Sequence, residues 1–563
     1  MNMTNKLKYI FLLLLVPALY IGCSREKFAE MNTDPDDLLS INPETEFTSA
    51  LLAINNSSFE YYYDHNRAMY YWTQSFVTLN GASSTVYDGS GNLNQRYSNF
   101  YNNVGNQLVD VQKLIEKMTG EQREKYTYLH AITYIPLAYY AAYVSDVQGS
   151  IAYSQAFQAR YTGLLTPAYD TQEELFSNLQ VKLDSVVQVL KSTPSVEQVN
   201  LGTADVVYGG DEKKWIRAAN SLRLRLAMRL LNRDADKMKT LVADILSDDG
   251  GLISSNEENW QFVGGINFAS GGNYNPQSNG DVSGSKNLID FMSATSDPRI
   301  RIFFQKSDFT KDKFDSAKAQ GKLPATLTWD GQLYRGQFAN PSASSVSAYS
   351  YYFSDISYSY KGVTTADRWV SNVQDRLFYN PETKAHITFP VVTYADVCFM
   401  RAELAVRGIT SEDASSLYTA GIEASIKAYD EMGSNASLSD YTTLSATEIA
   451  TYLSQTGVAY DAANALEQIC IQEYLNCFKN QNEAWATIKR TGYPSMTSSI
   501  LNRETVVVDG DTKTMPRRFI VSYPSISDLN YTNRLNAIEE MTKDAGFSTP
   551  DDITGRVWWD TAN

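Results

Sequence analysis

Residues 209–231 leave this chain few ways to fold. Gly209-Gly210 interrupts whatever precedes it, and Asp211 is placed to cap the free N–H groups of a first helical turn, with Glu212 at the positive end of the helix dipole. Beyond them Trp215, Ala219, Leu222, Leu226 and Leu230 recur at helical spacing on one face, and Leu224, Met228 and Leu231 fall roughly opposite. A helix that is apolar on two sides is buried between two neighbours. The same segment carries Arg217, Arg223, Arg225 and Arg229, which must then find carboxylate or carbonyl partners on adjacent elements. The reading is a structural helix in the middle of a large helical stack. No Gly-Lys-Ser/Thr follows the glycine pair, so a phosphate-binding loop finds no support.

Further helical patterns cover residues 47–76, 104–118, 121–144, 171–191, 392–408, 414–429 and 464–478, with Pro136 inside the third. Short turns join several of them into hairpins of tetratricopeptide-like size, without a clean repeat of fixed period. The fold class expected is mainly α: tetratricopeptide-like helical pairs forming a scaffold. Hydrophobic content of 43% suffices for a sizeable core. Between residues 264 and 390 the texture changes to Gly, Ser, Asn and Tyr, as in Gly271-Gly272-Asn273-Tyr274 and Ser347-Ala348-Tyr349-Ser350-Tyr351-Tyr352-Phe353. A large irregular, loop-rich region inside a helical protein is usually functional.

The N-terminus speaks to location. Lys6 and Lys8 precede an apolar run at residues 10–22, the length of a signal-peptide core and short for a membrane span. It ends at Gly22-Cys23, the pattern of a bacterial lipoprotein signal, although Tyr20 stands three before the Cys where Leu is usual. Residues 1–22 are then a signal peptide, Cys23 the lipidated terminus, residues 23–45 a polar tether and 46–563 the body. The alternative is an ordinary signal peptide that leaves Cys23 free. No later stretch is long and apolar enough to span a bilayer. A net charge of −16 excludes nucleic acid or anionic lipid held by bulk attraction.

Catalytic and metal signatures are missing. His65, His130 and His386 are far apart in sequence, and no His-Glu-x-x-His, Gly-x-Ser-x-Gly or Walker loop occurs. Cys470 and Cys477 would sit about 10 Å apart along a helix, too far for a disulfide, and Cys398 lies among apolar residues, so buried free thiols are expected. Asp34, Asp36 and Asp37 lack calcium-loop spacing. The expectation is no enzyme, no cofactor and no metal. The 38 Tyr exceed what packing needs and suit contact surfaces. Sugar rings stack on Tyr and Trp while Asn, Gln, Asp and Arg bond their hydroxyls. Trp72, Tyr87, Tyr274, Tyr352 and Trp369 are the ligand-binding candidates, with Gln74 and Tyr351 beside them. Trp72 also fits a core position, because it lies in a helical pattern. Trp215, Trp485 and Trp558-Trp559 read as structural.

Several segments, in order, resemble one family. They are Phe28-Ala29-Glu30-Met31-Asn32-Thr33-Asp34-Pro35, residues 144–154 (with Ala152 where Pro is usual), residues 205–231, residues 390–408 with Met400-Arg401-Ala402-Glu403, and Ile471-Gln472-Glu473-Tyr474 through Trp485. Pro516-Arg517-Arg518 and Tyr523-Pro524 follow, with Ser527 where an acidic residue is usual and Asp528 adjacent. Together they resemble the SusD/RagB-type nutrient-binding outer-membrane lipoproteins of Bacteroidetes. The resemblance implies a SusD-like α-α superhelix at the cell surface. It also implies binding of oligosaccharides, or other nutrients such as peptides, and delivery to a SusC-like TonB-dependent transporter. The alternatives are a helical scaffold that binds protein only, and a surface glycoside hydrolase.

Overall fold

A computed structural model describes residues 42–89, 92–278 and 280–561. The signal peptide, Cys23, most of the tether and the motif at residues 28–35 lie outside the described residues.

The first half stacks six helices: α1 (Pro43–Ala53), α2 (Gly105–Lys117), α3 (Thr127–Gln148), α4 (Gln172–Lys191), α5 (Glu212–Met228) and α6 (Ala235–Ser247). Each packs on its neighbour, α1 on α2, α2 on α3, α3 on α4, α4 on α5 and α5 on α6. Their starts follow from side chains that satisfy the free N–H groups of a first turn. Asn42 caps α1, a Thr171/Glu174 capping box opens α4, and Asp211 caps α5 by accepting from Lys213 and Lys214 N–H. A second layer follows: α7 (Lys286–Ala294), α8 (Tyr394–Val406), α9 (Ala414–Asn435), α10 (Ala465–Asn476) and α11 (Gln481–Thr491). Here α8 packs on α9 and α10, and α10 on α11. The mainly helical fold predicted from periodicity is observed.

Helix α5 is the element between the two layers. Trp215, Ala219, Leu222, Leu226 and Leu230 are buried, and so are Leu224, Met228 and Leu231 on the other side. Its arginines find the partners that burial demands. Arg217 pairs with Glu258, and Arg223 lies 3.2 Å from Asp184 and 2.6 Å from Asp244. Arg225 donates to the Val391 carbonyl at 2.6 Å and to Asp396 at 2.7 Å on α8, which ties the two layers together. Arg229 reaches Asp146 at 3.1 Å and Glu483 at 2.8 Å. Trp215 donates its indole N–H to Asp205 at 2.7 Å. The Cys398, Cys470 and Cys477 thiols are free and buried.

Three expectations need correction. The helical pattern at residues 47–76 is not one helix: α1 stops at Ala53, and Glu60–Met69 is π-helical before a short α-turn at Tyr70–Trp72. The buried face of that π-helix carries polar groups. Glu60 accepts from Tyr140 and Tyr143 hydroxyls at 2.6 and 2.7 Å, and Asp64 accepts backbone N–H groups of Asn94, Gln95 and Arg96. The pattern at 121–144 divides into Gly120–Glu124 and α3. Last, residues 264–390 are not loop alone. They hold α7, a helix at Lys311–Ala319 and a hairpin of β2 (Ile356–Tyr360) with β3 (Val363–Asp367). Strand β1 (Trp260–Val263) pairs antiparallel with β4 (Thr388–Val392), which brackets the region and returns the chain to α8.

Candidate functional site

The Tyr-rich region folds around its own small core, and this decides which aromatics are available to a ligand. Phe309, Phe314, Ile356, Tyr358, Trp369 and Val370 form that core, roofed by the hairpin and the Lys311–Ala319 helix. Trp369 is 2% exposed, with its ring edge-on to Tyr351 at 5.2 Å and the Arg335 guanidinium over its face at 4.2 Å. Tyr351 is 8% exposed and belongs to the same core, so the open position expected from the sequence is corrected.

The other candidates divide in the same way. Trp72 is buried between Trp485 and Phe519, and its indole N–H donates to the Val86 carbonyl at 2.7 Å. Tyr87 is buried in the same cluster, where desolvation pushes its phenol up to about 12. Tyr274 is buried against Tyr61 and Phe389 and donates to the Asn55 carbonyl at 3.0 Å. Gln74 is buried too, bonded through its amide to the backbone of Glu504. A ring whose faces are both packed cannot receive a sugar, so the expected open stacking faces are absent at Trp72, Tyr87, Tyr274 and Trp369. Tyr352 alone of the five keeps part of its ring in solvent. Trp215, Trp485 and Trp559 are buried, as expected of structural residues.

Around Tyr352 the structure brings together residues that the sequence did not single out. Phe338 meets Tyr352 edge-on at 5.0 Å, Tyr349 at 4.9 Å and Phe353 in a near-parallel stack at 6.2 Å. Tyr349 is 40% exposed, and Phe338, Tyr352 and Phe353 are half-buried. This cluster is a partly exposed aromatic platform. Two consecutive 3-10 turns, Pro341–Ser345 and Ser347–Tyr352, hold it over the core. Buried Gln337 fixes it from beneath by donating to the Leu79 carbonyl at 2.6 Å and the Tyr352 carbonyl at 2.7 Å. Gly336 has to be glycine: a Cβ there would lie 2.5 Å from the Lys286 Cα and the Ser285 carbonyl oxygen.

Polar groups adjoin the 338–353 segment. Lys286 pairs with Asp290 on α7, and Glu504 accepts the Asn340 backbone N–H at 3.0 Å. Burial raises the Glu504 carboxyl above its ordinary value. Helix α7 also borders an open groove of about 930 Å³ lined by Asn287, Asp290, Tyr460, Asn464, Gln468 and Asn502. Helix α7 thus borders both, since Asp290 lines the groove and pairs with Lys286. Stacking rings beside hydroxyl-bonding amides and carboxylates is the chemistry that recognises sugars.

The histidines serve separate structures. His65 bonds Tyr143 at 2.6 Å, His386 bonds the Gly264 carbonyl at 2.8 Å, and His130 faces Glu116. Among the described residues no group of three His, Cys, Asp or Glu is placed to hold a metal ion, and no helix is long and apolar enough to cross a membrane.

Comparison with known structures gives the same architecture. A chitin-binding protein matches with a TM-score of 0.69 and 22% identity over 92% of this chain and 100% of its own. A SusD homolog from Bacteroides fragilis matches at 0.64 and 23%, over 93% and 100%. A chitin-binding SusD homolog from Flavobacterium johnsoniae matches at 0.64 and 20%, over 92% and 98%. A search of curated proteins finds no match. The model of a family described as SusD-like, "starch-binding associating with outer membrane", matches residues 35–524, most of the chain, and the chain belongs to that SusD-like family.

Proposed function

We propose that this protein is a non-catalytic, cell-surface lipoprotein that captures oligosaccharides on the Phe338–Tyr349–Tyr352–Phe353 platform and delivers them to a SusC-like TonB-dependent transporter. The observation that carries the reading is the platform: four neighbouring aromatic rings, none fully buried, close to amides and carboxylates. Membership of a family described as starch-binding and associating with the outer membrane supports it. So do two structural relatives described as chitin-binding. Trp369 and Tyr351 act as the floor beneath Tyr352. The platform and the groove bordered by α7 together suit a chain of several sugars. Each stacking contact is modest, so bound sugar is released fast enough to be handed on. The acidic surface favours neutral glycans over polyanionic ones at the platform.

Calorimetric titration with neutral malto- and chito-oligosaccharides tests the reading. Saturable binding without turnover is expected. Hydrolysis of the titrant would favour the glycosidase, and silence across the panel would favour the protein-binding scaffold.

The anchor is proposed to be Cys23, acylated after removal of residues 1–22. Cys23→Ala should release the protein into the soluble fraction of cells that lack the partner transporter. Persistence in outer membranes from those cells would refute lipid anchoring at this residue.

A further inference from the structure

A second concave site lies on the helical scaffold, in the first layer. Helices α2, α3 and α4, with the short helix Gly120–Glu124, line a groove of about 300 Å³ whose polar lining is Arg123, Thr127, His130, Tyr134, Lys182 and Ser185. Its floor is apolar, from Ile115, Val186 and Val189. The charges are arranged unusually for so acidic a protein. Lys113 lies 2.7 Å from Glu116, and His130 Nε2 is 3.5 Å from the same carboxylate. Arg123 and Lys182 take part in no ion pair among the described residues. Lys182 holds its ammonium 4.4 Å from the centre of the Tyr134 ring, and that ring packs edge-on to His130 at 5.5 Å. Two cations that pair with no carboxylate among the described residues therefore line a recess that also offers hydroxyls and an imidazole.

We propose that this groove binds a small ligand carrying an oxyanion, a carboxylate or a phosphate, between Arg123 and Lys182. A guanidinium presents paired N–H donors to either oxyanion, and the ammonium adds a point charge. The volume admits one sugar-sized group. Glu116 pairs with Lys113 at 2.7 Å, so part of its charge is already offset. The site is separate from the aromatic platform and does not rest on it. It takes anionic ligands, where the platform takes neutral ones.

His130 reports on occupancy. Burial depresses its imidazole below the ordinary value; Glu116 opposes this, and Arg123 and Lys182 add to it. An anion that neutralises Arg123 and Lys182 removes part of the repulsion, so the His130 titration midpoint rises on binding. The chain has 3 His, so its imidazole NMR signals are few, and His130→Gln assigns the one that matters.

The experiment titrates full-length protein, followed by NMR, with glucuronic acid, glucose 6-phosphate and neutral glucose. The expected result is a raised His130 midpoint with at least one of the two acids, which also identifies the oxyanion preferred, and none with glucose. Affinity should fall about tenfold or more in Arg123→Ala/Lys182→Ala, and fall with added salt. Both side chains are exposed, so folding is not at stake. The proposal is overturned if neither acid moves His130, if glucose moves it equally, or if the double variant binds as tightly as the native protein.

Discussion

Arg229→Ala is expected to destabilise the protein by about 3–5 kcal/mol, because it strands two buried carboxylates. Arg229 is 4% exposed and lies between Asp146 on α3 and Glu483 on α11. Asp146 also accepts from the Trp559 indole at 3.0 Å and Asn482 at 3.2 Å, so one guanidinium organises groups from three distant parts of the chain. Burial alone would raise the Glu483 carboxyl, but Arg229 and Arg225 outweigh it and hold it at about 2. A carboxyl held below its unfolded value stabilises the fold above the ordinary carboxylate range, and that contribution disappears as pH falls towards 2. In the variant the loss of Arg229 raises the Glu483 carboxyl, so the folded form gains protons, and relative stability, on acidification. Denaturant midpoints should therefore differ most near pH 7, and the gap should narrow towards pH 3. A gap under about 1 kcal/mol at pH 7 would mean that water, not Arg229, compensates these acids.

Leu226→Ala should cost about 2–5 kcal/mol, with the spread set by how far the neighbouring helices can close on the space. Leu226 is 3% exposed in the middle of α5, and α5 touches helices on both of its apolar sides. Val181→Ala is the matched control: it is 72% exposed on α4 and should change stability by under about 0.5 kcal/mol. Thermal and denaturant unfolding of the two variants side by side checks the difference. Similar small shifts for both would contradict the burial of that face.

The helical spine was legible from the sequence because apolar spacing and capping act locally. Asp211, read as the cap of α5 from its place after Gly209-Gly210, does cap it, and the residues concerned are neighbours in the chain. The need of the α5 arginines for partners was equally legible. Their identities were not, because Asp146, Asp396 and Glu483 arrive from distant segments. The π-helix at Glu60–Met69 was invisible for a different reason: one extra residue per turn leaves the composition unchanged. The platform was readable as a region and not as residues. Tyr351, Tyr352 and Trp369 share one Tyr-rich texture, and only the folded hairpin decides which of them lies beneath and which faces water. Phe338 gave no signal at all, since a single Phe beside Gly336-Gln337 is as easily core as surface.

The central claim is that sugar is held by the exposed rings around Tyr352. The direct test is calorimetric titration of the native protein and of Phe338→Ala/Tyr349→Ala/Tyr352→Ala with the tightest-binding neutral oligosaccharide. Stacking on three rings at about 1 kcal/mol or more each predicts at least a hundredfold loss of affinity, with circular dichroism and unfolding midpoint close to native. Unchanged affinity in a well-folded triple variant would contradict the account and place the ligand elsewhere on the molecule.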